Sequence, residues 1–501
     1  MSMARSNSTT LIGLTRIVSH TLSVNFMPDR KIGVAPSFAK SMRTVILSSW
    51  LNVLCVCIPI SWALHFALPS SDTNDTIVFV FSFIAIIPLA KLLAFATDEL
   101  SMRVGQTLAG LLNATLGNAV ELIVSIIALI KCQLQVVQSS LVGSILSNIL
   151  LVLGMCFFAG GVRFSEQGFG ISSVQLNASL LTVSVIGVLL PAAFHFLIDT
   201  SSSPANNATS SISPVSNATE AGWILSVSHS TALILLFIYA CYLTFQLGSH
   251  KRLYDPDSEV PKTVQYEPKE KRTTEKRTFK QYIGFGSAPA DGLVRTESPQ
   301  SSEPADVESG HGHPVVDGLA AEGSGEDDEE DEEEIPQMSL WATIFLLVFV
   351  TVLVGVTAEF LVDSINGLTA SGHISKEFVG LILLPIVGNA AEHVTAVTVS
   401  VKDKLTLSLG VAVGSSIQIA LFVIPLIVTL AWMMGKPLTM LFDPLESLSL
   451  FFAVLVVNYT TQDGKSNWLE GTLLMCLYII LAVMFWYYPG TDTSKLLGLS
   501  C

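Results

Sequence analysis

The chain has 501 residues, of which half are apolar and only 13% are charged, against roughly a quarter charged in an ordinary soluble domain. That balance, with a mean hydropathy of +0.59, excludes a soluble globular protein, and many apolar runs reach the roughly 20 residues that cross a bilayer as a helix. The formal charge of −15 describes no general surface, because nine of the acids form one unbroken run, Glu326 to Glu334.

Taken in chain order, residues 1–43 are polar and hold Arg5, Arg16, Arg30, Lys31, Lys40 and Arg43 against a single acid, Asp29. They contain no compact signal peptide, so the first apolar segment is expected to act as an uncleaved anchor. Eleven transmembrane helices are predicted, near 44–68, 77–96, 107–130, 137–160, 174–197, 223–247, 339–366, 377–400, 404–430, 438–458 and 468–488. The fold class is an all-α polytopic membrane protein surrounded by membrane lipid. Residues 44–68 form an extra N-terminal helix, 77–248 a first five-helix repeat, 249–338 a linker, 339–488 a second five-helix repeat and 489–501 a short tail.

The basic residues set the orientation, since Lys and Arg gather on the cytosolic side. The N-terminal tail is therefore expected in the cytosol. The next loop, Pro69 to Thr76, has no Lys or Arg and is expected on the other side, as is the loop from Asp199 to Gly222. Those two loops carry three glycosylation acceptor patterns, beginning at Asn74, Asn207 and Asn217. The linker is expected to be cytosolic and mostly disordered. Its first part is basic, from Lys262 to Lys280, and its last part is the acidic run, which would concentrate cations at the mouth of the seventh span or dock on the basic part. The seven cysteines are scattered, and their spacing suggests neither a disulfide framework nor a metal cluster.

The third and eighth spans carry the most informative pattern: Gly117-Asn118-Ala119-x-Glu121 and Gly388-Asn389-Ala390-x-Glu392. The likeness continues at a constant offset of 271 residues, with Lys131 matching Lys402 and Val142-Gly143-Ser144 matching Val413-Gly414-Ser415. This reads as an internal duplication. Five helices per repeat is an odd number, so the second repeat enters the membrane inverted. Inverted repeats with interrupted helices meeting at the midplane are a transporter architecture.

On a helix, Asn118, Glu121 and Ser125 share one face, and Asn389 and Glu392 repeat the arrangement. Glycine in each tetrad and Pro385 before the second loosen the helix and free carbonyls, which are tolerated at membrane depth only where they line a cavity or bind something. Carboxylates, amide oxygens and carbonyls form a hard-oxygen set suited to Ca²⁺. A charge at a helix centre costs about 3 kcal/mol on insertion scales. Each glutamate can lower that cost by taking a proton or by sharing a divalent cation. Two carboxylates neutralise one divalent ion or hold two protons, and mutual exclusion of those states is the physical basis of proton-coupled antiport.

Other polar groups sit at membrane depth. Ser144, Ser147 and Asn148 lie in the fourth span, and Ser415, Ser416 and Gln418 in the ninth. The serines are equally compatible with helix packing, whereas Asn148 and Gln418 each hide an amide that needs partners. Glu99, at the end of the second span, and Glu359, in the seventh, are candidate accessory acids on the ion or proton path; the alternative is that they are solvated acids at the interface. His393 follows Glu392 directly and is either a tuner of that carboxylate or a packing residue.

The stretches Leu111-Leu112-Asn113-Ala114-Thr115-Leu116-Gly117-Asn118-Ala119-Val120-Glu121-Leu122-Ile123 and Pro385-Ile386-Val387-Gly388-Asn389-Ala390-Ala391-Glu392-His393 resemble the two signature repeats of the CAX cation/proton exchangers, within the Ca²⁺/cation antiporter superfamily. The acidic stretch before the seventh span is also similar, although the linker is longer here than the family's. The resemblance implies Ca²⁺ uptake into a vacuole or similar acidic organelle in exchange for lumenal H⁺. Mn²⁺ is expected as a second substrate, since oxygen ligands suit it too. It implies that Glu121 and Glu392 are the central cation and proton ligands, with Asn118, Asn389 and Gln418 nearby and Glu99 and Glu359 accessory.

The expected function is therefore a secondary active antiporter in a vacuolar membrane, not an enzyme. It needs no cofactor, since Ca²⁺ is its substrate, and no nucleic acid partner. A Na⁺-driven Ca²⁺ exchanger of the same fold is the alternative. An intramembrane hydrolase would need a nucleophile in a recognisable frame, and Glu392-His393 lacks one. A non-transporting sensor would not need duplicated acids in opposed helices.

Overall fold

The computed structural model describes residues 33–250, 263–265 and 336–501, apart from 70, 105, 203–216, 371, 373, 492, 494–496 and 499–500. The acidic run, the basic part of the linker and the Asn207 acceptor lie outside the described residues. The described residues form the membrane body.

Lipid offers no partner to a backbone N–H or C=O, so the apolar runs close their hydrogen bonds internally as helices. In chain order these are α1 (Phe38–Leu47), α2 (Cys57–Ala67), α3 (Asp72–Ser101), α4 (Gln106–Leu116) and α5 (Ala119–Ile130). Then come α6 (Leu134–Arg163), α7 (Ile171–Ser202), α8 (Asn217–Thr244), α9 (Leu340–Ala370) and α10 (Lys376–Gly388). The last four are α11 (Ala390–Val401), α12 (Leu405–Met433), α13 (Pro444–Thr460) and α14 (Trp468–Tyr487). Capping chemistry sets several of the starts. The Ser71 hydroxyl accepts from Asn74 N at 3.4 Å ahead of α3, and Asn467 Oδ1 accepts from Leu469 N and Glu470 N ahead of α14.

Among the described residues, eight helices are long and apolar enough to cross a membrane, and the α10–α11 pair, bent by 57°, makes a ninth. The predicted count of eleven also needs α4–α5, interrupted at Gly117–Asn118, and the shorter α13. The predicted first span is not one helix: α1 ends at Leu47, a 3₁₀ turn covers Trp50–Val56 and α2 follows. The centre of the body is α6 and α12, whose most apolar stretches are 83% and 78% buried against 11% for Trp50–Ala67. Helices α3 and α9, at equivalent places in the two repeats, pack along each other.

The duplication recurs in the backbone. A π-helical turn interrupts α6 at Ser147–Val152, and another interrupts α12 at Ile419–Val423. Such turns widen a helix by one residue and often lie at functional positions.

The inversion follows from contacts at the two ends of α6, a helix of 30 residues and so roughly 45 Å long. At its start, the 131–133 turn meets α9 through Lys131 and Asp363. At its end, Arg163 donates to Val401 O at 3.0 Å, and Gln167 donates to Ser400 O at 2.9 Å and Asp403 Oδ1 at 3.0 Å. The equivalent turns after α5 and α11 thus emerge on opposite faces.

Two features depart from the sequence reading. The first is a small three-stranded antiparallel sheet in an otherwise helical chain. Its central strand β1 (Phe164–Gly168) pairs with β2 (Val264–Gln265), from the linker, and with β3 (Lys465–Ser466). Three connections leave the helices on one face, and pairing satisfies backbone groups that no helix uses. The second is a disulfide between Cys132 and Cys501 on the other face. No spacing rule anticipates it, because the partners are 369 residues apart and only the threading brings them together. Lys436 Nζ lies beside the pair, donating to Ile130 O at 3.0 Å.

Candidate ion site

The site forms where the two interrupted helices cross the centre of the body. Between α4 and α5, Asn118 leaves helical geometry with φ −100° and ψ 27°. Between α10 and α11, Asn389 does the same with φ −85° and ψ 4°. Pro385 contributes to the second break, because it has no N–H to bind the carbonyl of Leu381. Each break turns an asparagine side chain inward and places a glutamate in the first turn of the following helix.

The repeats then hold each other by crossed contacts. Asn118 donates from Nδ2 to Gln418 Oε1 at 2.6 Å, and its Oδ1 accepts from the Ser415 hydroxyl at 2.7 Å. Asn148 Nδ2 donates to Ser415 Oγ at 3.1 Å. From the other repeat, Asn389 Nδ2 reaches Ser144 O at 3.5 Å, and His393 Nε2 lies 3.4 Å from Ser147 Oγ. Ser144 and Ser415 are equivalent positions, so each asparagine engages the matching serine of the opposite repeat.

Glu121 and Glu392 sit within this frame, close enough to act on one another electrostatically, with Glu392 beside Ser415. Glu121 Oε1, Glu392 Oε2, Asn148 Oδ1 and Asn389 Oδ1 are all buried without a hydrogen-bond partner. Four unpartnered buried oxygens, two from carboxylates, are costly in a dry interior. They are also the donor type that a hard cation takes. Among the described residues no three His, Cys, Asp or Glu side chains gather as a metal cluster.

Glu121 lies against Gly388: a Cβ at that position would stand 2.5 Å from Oε1. Only glycine lets the second break approach the first carboxylate so closely. A narrow, mostly apolar cavity runs from Glu121 past Ser144 and Ser140 to Leu361, toward the disulfide face.

The chain matches the sodium/calcium exchanger protein family over residues 74–248 and 342–487. It belongs to that family. It is 55% identical over 504 residues to a vacuolar calcium ion transporter of Cryptococcus neoformans var. grubii, covering 97% of this chain and 81% of that one. It is 36% identical over 437 residues to a Ca²⁺/H⁺ antiporter of Synechocystis, covering 87% and 97%. Among solved structures it resembles native YfkE with a TM-score of 0.59 at 26% identity, covering 87% of this chain and 100% of that one.

Within this exchanger, two predicted accessory acids stand apart from the central group. Glu99 is buried near the sheet face, where its two oxygens accept Gln337 N at 3.0 Å and Met338 N at 3.2 Å, and Arg103 lies 3.5 Å away. It thus fixes the chain entering α9. Glu359 is 48% exposed near the disulfide face and pairs with Lys131 at 3.0 Å. Three buried acids escape the sequence reading: Glu377, Asp443 and Glu446. They stand at the starts of apolar helices, where an acid ordinarily reads as an interfacial cap.

Proposed function

We propose that this exchanger carries Ca²⁺ from the cytosol into an acidic, vacuole-like organelle in return for lumenal protons, with Mn²⁺ as a second substrate. The observation that carries the reading is the pair Glu121 and Glu392: two buried carboxylates, one from each inverted repeat, each with an unpartnered oxygen. Two ionised carboxylates balance one divalent cation, and two protonated ones need none. The charge buried in the membrane is then zero in either loaded state, which makes both cheap and the empty, ionised state expensive. Alternating exposure of such a pair exchanges one ion for protons. The vacuolar and Ca²⁺/H⁺ names of the relatives favour this over a Na⁺-driven cycle.

Asn118, Asn389 and Gln418 would complete the oxygen set, with Asn148, Ser147 and His393 supporting it. The transporter would act without a cofactor and without enzymatic chemistry. The sheet face is the cytosolic one in this reading, and the N-terminus lies there. A disulfide on the opposite face supports that assignment, since disulfides form in the oxidising secretory lumen rather than the cytosol.

The test is uptake of radiolabelled Ca²⁺ by sealed vesicles containing the protein, with an acid interior and no Na⁺. Uptake that a protonophore abolishes is the expected result. Uptake that appears only with Na⁺ inside would overturn the proton coupling.

A further inference from the structure

A second group of acids lies at the lumenal face, apart from the central site. Glu377 opens α10, and Asp443 and Glu446 flank the start of α13. They are 1%, 4% and 1% exposed. Asp443 is fully engaged: Oδ1 accepts from Leu445 N at 2.8 Å and Glu446 N at 3.4 Å, and Oδ2 from the Tyr488 hydroxyl at 2.9 Å and Thr491 N at 3.0 Å. Glu377 accepts from the Gln135 amide and packs against Gly490.

Glu446 has no such set of donors. Its Oε1 is buried and unpartnered, and Ser139 lies beside it. Ser139 has one hydroxyl proton and gives it to Gln135 O at 2.6 Å. With that hydroxyl spent on the backbone, a buried carboxyl with an unpartnered oxygen lowers its cost by carrying a proton. The charged groups acting on Glu446 are Asp443 and Glu377, both acids. Across the same face, Lys131 is occupied by Glu359 and Asp363, and His195 by Glu220.

Two relations give this group a direction. At the 271-residue offset its counterparts are Gln106, Ser172 and Gln175, none of which ionises. The acids are thus confined to one repeat and to one face of the membrane, so common scaffolding does not account for them. Ser139 is also followed by Ser140, which lines the cavity reaching Glu121.

We propose that Glu446 is a second proton-binding site, which takes protons from the lumen and delivers them through the Ser139–Ser140 turn to the cavity at Glu121. In the step, the Glu446 carboxylic acid gives up its proton, the Glu121 carboxylate gains one, and the lumen reprotonates Glu446; no other bond forms or breaks. The idea rests on the proton-exchange reading above, and the test separates the two.

Proton-driven Ca²⁺ uptake would be compared in vesicles containing wild type, E446Q and E446D across a range of lumenal pH. E446Q is expected to keep its KM for Ca²⁺ within a factor of about two, lose at least roughly tenfold in maximal rate and lose the dependence of that rate on lumenal pH. E446D, which keeps an acid, is expected to keep the pH dependence. If E446Q does not accumulate, Ser139→Ala carries the test, with a lowered rate at normal KM expected. Wild-type rate and pH dependence in E446Q, or in S139A when it stands in, would overturn the proposal. A wild type without proton-driven uptake would instead sink the exchange reading. Infrared spectra of the purified protein then still decide the protonation of Glu446: a protonated-carboxyl band present in wild type and missing from E446Q supports it, and no difference overturns it.

Discussion

Asn118 and Gln418, 300 residues apart, share a 2.6 Å hydrogen bond that joins the break in one repeat to the π-interrupted helix of the other. Ser415 closes the same link from the side, donating to the Asn118 oxygen. The two halves of the ion site are therefore held by each other's amides as well as by helix packing. Asn118→Ala would leave Gln418 Oε1 and Ser415 without these partners, at about 1–3 kcal/mol for each stranded group. A fall of several degrees in the melting temperature of the purified protein, with slowed uptake, is expected; an unchanged melting temperature would mean that the link contributes little.

Glu121→Gln and Glu392→Gln are each expected to abolish exchange while leaving the fold intact. The amide keeps the shape of the side chain but cannot lose a proton to a cation. The check is vesicle uptake beside size-exclusion elution of the same preparations, and ordinary exchange by either variant would remove the paired-carboxylate mechanism.

Gly388→Ala brings a methyl group to 2.5 Å from the Glu121 oxygen, so either the carboxylate or the second break must move. Misplacing a reacting group by about 1 Å can cost on the order of a hundredfold, and uptake should fall on that scale. Gly410→Ala is the control, because its added Cβ would meet nothing within 4 Å. Equal activity of the two variants would show that the close approach is unimportant.

Lys131 bridges Glu359 and Asp363 at 3.0 Å each. The bonds to Asp363 and then Glu359 hold its ammonium above the ordinary lysine value. A raised value in the folded state means that its contribution is fully present below the unfolded value of roughly 10.4 and fades as pH rises past it. Lys131→Gln should therefore lower the melting temperature slightly at neutral pH, with the gap to wild type closing at strongly alkaline pH. A gap that widened with pH would have the wrong sign. The pair is half exposed, so an effect no larger than about 1 kcal/mol is expected.

The central residues were legible because duplication doubles the signal. A single buried glutamate has several explanations, but Glu121 and Glu392 in matching tetrads have few, and the helical period set Asn118 beside the first. The amide partners were legible in kind only: Gln418 was expected to need a partner, and nothing local named Asn118. Glu99 shows the opposite error of emphasis. From the sequence it is an acid at a membrane edge near the ion path; in the structure its oxygens are engaged by the backbone of Gln337 and Met338. Glu446 was passed over because its burial depends on Ser139 and Glu377, which lie far away in the chain. The sheet and the disulfide escaped for the same reason, being contacts between loops that share a face.

The Cys132–Cys501 bond has a consequence for the covalent topology of the chain. It closes residues 132–501 into a ring, and the linker that joins the two repeats lies within it. A protease that cut once between Glu267 and Glu332 would open the ring without freeing either half. Treated in that way, the protein should run as a single species on a non-reducing gel and as two fragments after reduction. The nicked molecule would remain one piece, with its repeats still tied through Cys132, after α5, and Cys501.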